Sequence, residues 1–374
     1  MVTVRRVESK KDIKEFIEFP LRLYRDCEYF VPPMYADERK LLTSGGCSDT
    51  YESVFFLAER EGKTVGRIQG ILHKQYNELK GERRVRFNRF DSIDDTEVSR
   101  ALFSAVEKWA SEQGMTEVCG PLGFSDLDRE GLLIEGFEEN STFEEQYNYE
   151  YYGRLIEAVG FVKDVDWLEF ELKLPKTRNE MLRRVAARAL EINKLHVADN
   201  SMPKRKYIEK YRDGFFECLE TCYRHLYGTV ALTREVQDEL IAQFNLIVNK
   251  EYVIFICDEN ERVVAFGLCF PAIGEAIKKS GGRLTPSALL KLLKLIRKPK
   301  VIDLGLVAVL PEYQSSGINA VMINEMLDML ERGTAEKFET NLNLETNEAV
   351  IAQWKHFDAR QHKRRRSYIK KIGE

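Results

Sequence analysis

No stretch of this chain stays apolar for the length of a bilayer crossing, and Met1 to Ile17 is too charged for a secretory leader. A cytoplasmic location is the resulting expectation. A disulfide framework is missing as well. The seven cysteines (Cys27, Cys47, Cys119, Cys218, Cys222, Cys257 and Cys269) are scattered and odd in number, which favours reduced thiols. Cys218 and Cys222 stand one helical turn apart, but with His225 they make three ligands at most, so no metal is expected. No His–acid or Cys–His spacing suggests covalent catalysis. Excess positive charge is also lacking: 57 Lys and Arg against 61 Asp and Glu leave a net charge of -4 and a pI near 6.0, with no global drive toward nucleic acid.

What is present is enough apolar material for real cores. With 374 residues, 44% hydrophobic and 32% charged, the chain exceeds one typical domain and two are expected, at 1–175 and 176–374. The first half reads as a strand Val2 to Val7, a helix Lys11 to Tyr24 bent or broken at Pro20, and a hairpin of Ser53 to Glu59 with Thr64 to Leu72. Val85 to Phe90 is a further strand, Asp95 to Gln113 an amphipathic helix, Gly120 to Tyr152 a long acidic loop, and Trp167 to Leu172 a strand. In the second half, a strand near Leu195 and helices at Tyr207 to Leu226 and Arg234 to Val248 precede a hairpin, Tyr252 to Asp258 with Val263 to Phe270. The order of elements repeats; the residues do not.

The most informative stretch is Val301 to Arg332. An apolar strand, Val301 to Val309, ends at Pro311; a small polar turn follows, then an amphipathic helix. A turn of this kind aims unpaired N–H groups at the helix start, where the macrodipole favours an anion such as pyrophosphate. Gly317 allows close backbone approach. An ordinary strand-to-helix turn is the competing reading, since one glycine is weaker than a glycine-rich fingerprint.

The residues Val309-Leu310-Pro311-Glu312-Tyr313-Gln314-Ser315-Ser316-Gly317-Ile318-Asn319 resemble the V-x-P-x-[Y/H]-[Q/R]-x-x-G-x-[G/A] signature of the GNAT superfamily of acyl-CoA-dependent N-acyltransferases, departing from it at Asn319. The resemblance implies an α+β fold of two tandem GNAT-like domains, each a mixed, mostly antiparallel twisted sheet flanked by helices. It implies acetyl-CoA or another acyl-CoA held by the backbone of Gln314, Ser315, Ser316, Gly317, Ile318, Asn319 and Ala320. Val307 and Val309 would align the pantetheine arm, and Asn347 would contact it. In the first half the acidic Phe90 to Asp95 takes the place of the phosphate loop, so that copy is expected not to bind CoA. Those acids either start a solvated helix or face a cationic substrate.

The implied reaction is acyl transfer to an amine by direct attack without metal, acetyl transfer first among the choices and amino-acyl groups excluded. Its acceptor would be a small-molecule or peptide amine. A carboxylate must take the amine's proton, and Glu345 and Asp303 are the candidates, with Tyr313 a further proton donor. Where the family often has a tyrosine acid, position 354 is Trp, whose indole has no usable acidity. A non-catalytic GNAT-fold binding module is therefore the alternative class. A third reading is a surface-associated transferase using longer acyl or lipid and cell-envelope substrates. It would use the basic amphipathic segment 287–300, which is read first as a helix packed on its domain with lysines in water. The run Lys363 to Arg366 reads as a solvated face ahead of a last strand, Ser367 to Ile372.

Overall fold

The computed structural model describes every residue except 45–50, 126, 225–228, 230, 231 and 374, and the side chain of Gln243. Cys47 and His225 lie outside the described residues, and with His225 the three-ligand set. The other six cysteines are free thiols. The chain forms two units, one taking Met1–Leu168, Gly274–Leu289 and His362–Glu374, the other Glu169–Ile273 and Leu290–Gln361.

In chain order the elements are β1 (Thr3–Arg6), α1 (Lys10–Leu23), α2 (Tyr35–Thr43), β2 (Tyr51–Arg60), β3 (Lys63–His73), α3 (Lys74–Lys80), β4 (Arg84–Ser92), α4 (Thr96–Glu112), β5 (Glu117–Gly120), β6 (Leu132–Glu135), α5 (Tyr151–Glu157) and β7 (Val162–Lys173). Then follow α6 (Glu180–Asn193), β8 (His196–Val197), α7 (Lys204–Tyr223), α8 (Arg234–Phe244), β9 (Val253–Cys257), β10 (Val263–Pro271), α9 (Gly274–Ile277) and α10 (Pro286–Arg297). The last are β11 (Val301–Val309), α11 (Ile318–Glu331), β12 (Lys337–Thr340), β13 (Asn343–Leu344), α12 (Glu348–Ile351) and β14 (Asp358–Lys371). The fold is α+β, with mixed, mostly antiparallel sheets flanked by helices.

Both units use one strand order. In the first, β1, β2, β3 and β4 run antiparallel, β4 and β5 are parallel, and β5 pairs antiparallel with β14. In the second, β8, β9, β10 and β11 are antiparallel, β11 and β12 parallel, and β12 pairs antiparallel with Glu171 and Leu172 of β7. Each unit thus takes its sixth strand from the opposite half of the sequence. A single cut near residue 175 does not reproduce these units, because pairing across a sheet is indifferent to separation along the chain.

Three local readings change. Pro20 lies inside α1, which continues to Leu23, and its carbonyl accepts from the Tyr24 N–H at 2.9 Å. The long loop after Gly120 contains β6, which pairs with β14. The basic run is not a solvated face: it lies within β14, with Lys363 1% and Arg365 0% exposed. Acids of the same unit explain this. Asp166, itself 0% exposed, takes Arg366 at 2.8 and 3.0 Å and Arg364 at 3.3 Å, and Glu145 lies 3.9 Å from Arg365. The acidic turn of the first half is internally paired too. Asp91 meets Arg67 at 2.7 Å and the Tyr24 hydroxyl at 2.9 Å, while Asp95 caps α4 through the Glu97 N–H and pairs with Arg60. Its carboxylates neutralise the unit's own arginines.

In the second unit α7 is fixed by aromatic contacts. Tyr207 and Tyr211 lie 5.6 and 5.0 Å from the Phe255 ring of β9, and Phe215 lies 4.4 Å from Phe266 of β10. This packing carries the last turn of α7 to the edge of β11.

Candidate functional site

β11 and β12 are paired only from Val301 to Leu304, against Lys337 to Thr340. At Gly305 the register with β10 slips, Leu268 facing Leu306 and Cys269 facing Leu304. The bulge needs glycine, because a Cβ there would lie 2.6 Å from the Phe270 ring. From Gly305 to Val309 the strand no longer has β12 beside it, and this parted edge leads directly into the turn. Pro311–Tyr313 make one tight turn, Ser315 has φ +62°, and Gly317 has φ +86° at the start of α11.

Two left-handed residues separated by one make a concave run of amides. Among the described residues, the N–H groups of Ser315, Gly317, Ile318 and Asn319 have no hydrogen-bond partner. Ile318 and Ala320 turn their side chains into the core and offer only backbone, while Ser315 and Asn319 are exposed. Asn319 is therefore no obstruction within the turn itself. Its side chain points away from the core that a family glycine or alanine would face.

Helix α6 walls the other side. A Cβ at Gly317 would lie 3.1 Å from Ala189 and 3.5 Å from Val185, and Asn193 Nδ2 reaches the Ser316 carbonyl at 3.5 Å. Arg178, just ahead of α6, is bonded to Asp328 at 2.6 Å, to Asn324 at 2.7 Å and to Glu331 on α11. This clamp holds the start of α6 against the later turns of α11, at the end of the helix pair away from the turn. Arg184 and Arg188, the exposed chain neighbours of Val185 and Ala189, add positive charge on this wall. The sequence does not show which turn these arginines serve.

At the parted edge the expected pantetheine groups are already bonded. The Tyr223 hydroxyl lies 3.3 Å from the Val307 N–H and 3.0 Å from its carbonyl, and the Val309 carbonyl accepts from Cys222 Sγ at 3.2 Å and Gln314 Nε2 at 3.1 Å. A pantetheine arm using Val307 must displace that phenol. Tyr223→Phe is accordingly expected to tighten CoA binding by about three- to tenfold, the worth of a net hydrogen bond, without changing affinity for the CoA nucleotide lacking its pantetheine arm. Titration calorimetry with the two ligands checks this, and weaker CoA binding would instead make Tyr223 a contact of the ligand.

The proposed acids occupy different elements. Asp303 is 1% exposed inside β11, in register with Glu339 of β12, which in turn faces Glu171 of β7. Lys337 bridges Glu171 at 2.8 Å and Glu339 at 2.7 Å. Burial would raise the Glu171 carboxyl, but hydrogen bonds from Lys173 and Lys337 outweigh it and hold it down to about 2. The Cys269 thiol is pushed up to about 12, by burial first and then by the Asp303 charge. Sequence reading singled out Asp303 from this row and missed Glu171, Glu339 and Lys337. Their alternation, Lys337-Phe338-Glu339 and Glu169-Phe170-Glu171, was the available signal.

Glu345 is half-buried in the turn after β13, and Tyr313 is half-buried in the turn after β11. Asn347 caps α12, its Oδ1 accepting from the Val350 N–H at 3.3 Å, which is a structural use of that side chain. Trp354 is 7% exposed, and its indole N–H has no hydrogen-bond partner among the described residues.

No family model matches the chain. It is 28% identical to Protein YghO of Escherichia coli over 99% of this chain and 95% of that protein. It is 25% identical to the bacterial ceramide synthase of Caulobacter vibrioides over 92% of this chain and 91% of that protein. Among solved structures, a tandem GNAT protein from the clavulanic acid biosynthesis pathway superposes with a TM-score of 0.58 at 12% identity, covering 100% of this chain and 99% of that one. Two repeats of one strand order, a bulged and parted fourth strand, and a turn of open amides at the following helix thus agree with the comparison: the chain has a tandem GNAT fold.

Proposed function

We propose that the chain transfers an acyl group from acyl-CoA to the amine of a long-chain amino alcohol, using the second unit's parted edge and turn. The observation that carries this is the set of open amides of Ser315, Gly317, Ile318 and Asn319 at the end of a strand edge that β12 has left. Likeness to a ceramide synthase over nearly the whole chain supports the substrate class, since a ceramide is an amide of a long-chain amino alcohol. The residues fit acyl-CoA at its phosphate end, where Gly317 and the α11 amides lie. The pantetheine end fits once Tyr223 gives way.

An acyl-CoA supplies the activated carbonyl as a thioester; the C–N bond forms as the C–S bond breaks, and the amine's proton must leave. Asp303, two residues before the edge opens, and Glu345 in the turn after β13 are the acceptors we assign. The carbonyl oxygen needs a donor as charge develops on it, and the Val307 N–H supplies one once freed. Most of the rate then comes from positioning.

The test is an assay of thiol release and amide formation with palmitoyl-CoA and a long-chain 2-amino alcohol, beside acetyl-CoA and small amines. Amide from the long-chain pair, lowered about a hundredfold or more by Asp303→Asn or Glu345→Gln, is the expected result. CoA binding without any amide would leave the binding-module reading, which Trp354 in place of a phenol and Tyr223 on Val307 favour.

A further inference from the structure

We propose that α10, with the turn before it, docks the protein on the surface of an anionic lipid bilayer. The inference deepens the proposed reaction, because a long-chain amine resides in a bilayer, but the observations that carry it lie on α10 and its flanking residues, away from the proposed site. From Ala276 to Ile302 the sequence has eight Lys or Arg and no Asp or Glu, although the whole chain has more acids than bases. The packed-helix reading accounts for Ala288 and Leu292, which are 3% and 0% exposed. It does not account for Leu284, Leu289, Leu290 and Leu293, at 44%, 39%, 70% and 40% exposed.

At 100° per residue, Leu289, Leu293 and Leu290 form one stripe on the side away from Ala288 and Leu292, with Lys294, Lys298 and Lys291 along its flank and Arg297 within it. A helix packed only on its own domain keeps one apolar stripe; α10 has two. Charge states the partner. Among the described residues, Lys291, Lys294, Arg297 and Lys298 have no carboxylate within ion-pair distance, whereas Lys300 pairs with Glu336 at 3.8 Å. A stripe of leucine bordered by unpaired cations suits the boundary between anionic headgroups and acyl chains. Ahead of the helix, Leu284 helps line a cleft of about 480 Å³ with Met34, Tyr35, Arg39 and Arg283, whose charge is taken by Glu18 at 2.9 Å. There the Arg283 guanidinium lies 3.8 Å from the centre of the Tyr35 ring.

Vesicle flotation tests this without turnover. The full chain is expected to float with phosphatidylcholine vesicles containing phosphatidylglycerol and not with phosphatidylcholine alone. Each basic residue near such a surface contributes roughly a fivefold factor, so the combined Lys291→Gln, Lys294→Gln, Arg297→Gln and Lys298→Gln variant should lose on the order of several hundred-fold in partitioning. Leu290→Asn with Leu293→Asn should lose binding while circular dichroism stays unchanged, since both residues are exposed. In a separate variant, Leu290→Trp emission should shift blue on anionic vesicles. No flotation, or flotation indifferent to both sets of variants, overturns the proposal. So does sedimentation velocity showing a dimer that the leucine changes dissolve, since the stripe would then face a second copy. Flotation with no amide formation would leave the docking intact and remove the proposed reaction; amide formation with no flotation would do the reverse.

Discussion

Gly317→Glu is expected to abolish CoA binding while the protein remains folded. Three effects act in one direction. The residue has φ +86°, where a side chain costs about 1–2 kcal/mol, and its Cβ would sit 3.1 Å from Ala189. The added carboxylate would also stand among the amides proposed to meet a pyrophosphate. Like charges about 4 Å apart repel by roughly 4 kcal/mol at a partly exposed site. The first two lower stability and disturb the turn, and the repulsion by itself weakens binding by on the order of several hundredfold, as read by calorimetry. Ser315→Glu places the charge on the exposed side of the same turn without touching α6, and should reproduce the loss. If both variants bind CoA as the parent does, the cofactor lies elsewhere.

Ending the chain after Gln361 should prevent the first unit from folding, although nothing is removed from residues 1–168. The deletion takes away the partner of β5 and the buried Tyr368, and it strips Asp166 of Arg364 and Arg366. Removing one side of a buried ion pair costs about 3–5 kcal/mol, against a typical total stability of about 5–15 kcal/mol. Arg365→Met, made alone, should lower the melting temperature without unfolding the protein. Limited proteolysis and circular dichroism separate the cases. A truncated chain with native-like protection of β2 to β5 would mean that the sixth strand is dispensable.

The sequence carried the local geometry of the site well and its long-range partners poorly. Val301–Val309 read correctly because an apolar run closed by Pro311 has few alternatives, and α11 read correctly because Gly317 marks its start. Lys363 to Arg366 read as a solvated face because a charge run shows no partner until the fold brings Asp166 and Glu145 beside it. Tyr223 gave no signal at all: nothing in the apolar pattern of α7 states that its phenol meets the backbone of Val307, 84 residues later. Asn347 was located by resemblance, yet Asn347-Glu348 is also an ordinary helix start, and the cap is what the structure shows there.

The exchange of sixth strands bears on how this protein is made. Residues 362–374 leave the ribosome after everything that precedes them, so the first unit waits with one edge of β5 unpaired through the synthesis of more than half the chain. An open edge held that long invites pairing with other chains. The second unit has its borrowed strand, in β7, before its own strands exist. The later half can therefore mature first, and slowed translation near residue 362 should raise aggregation more than the same delay at residue 175.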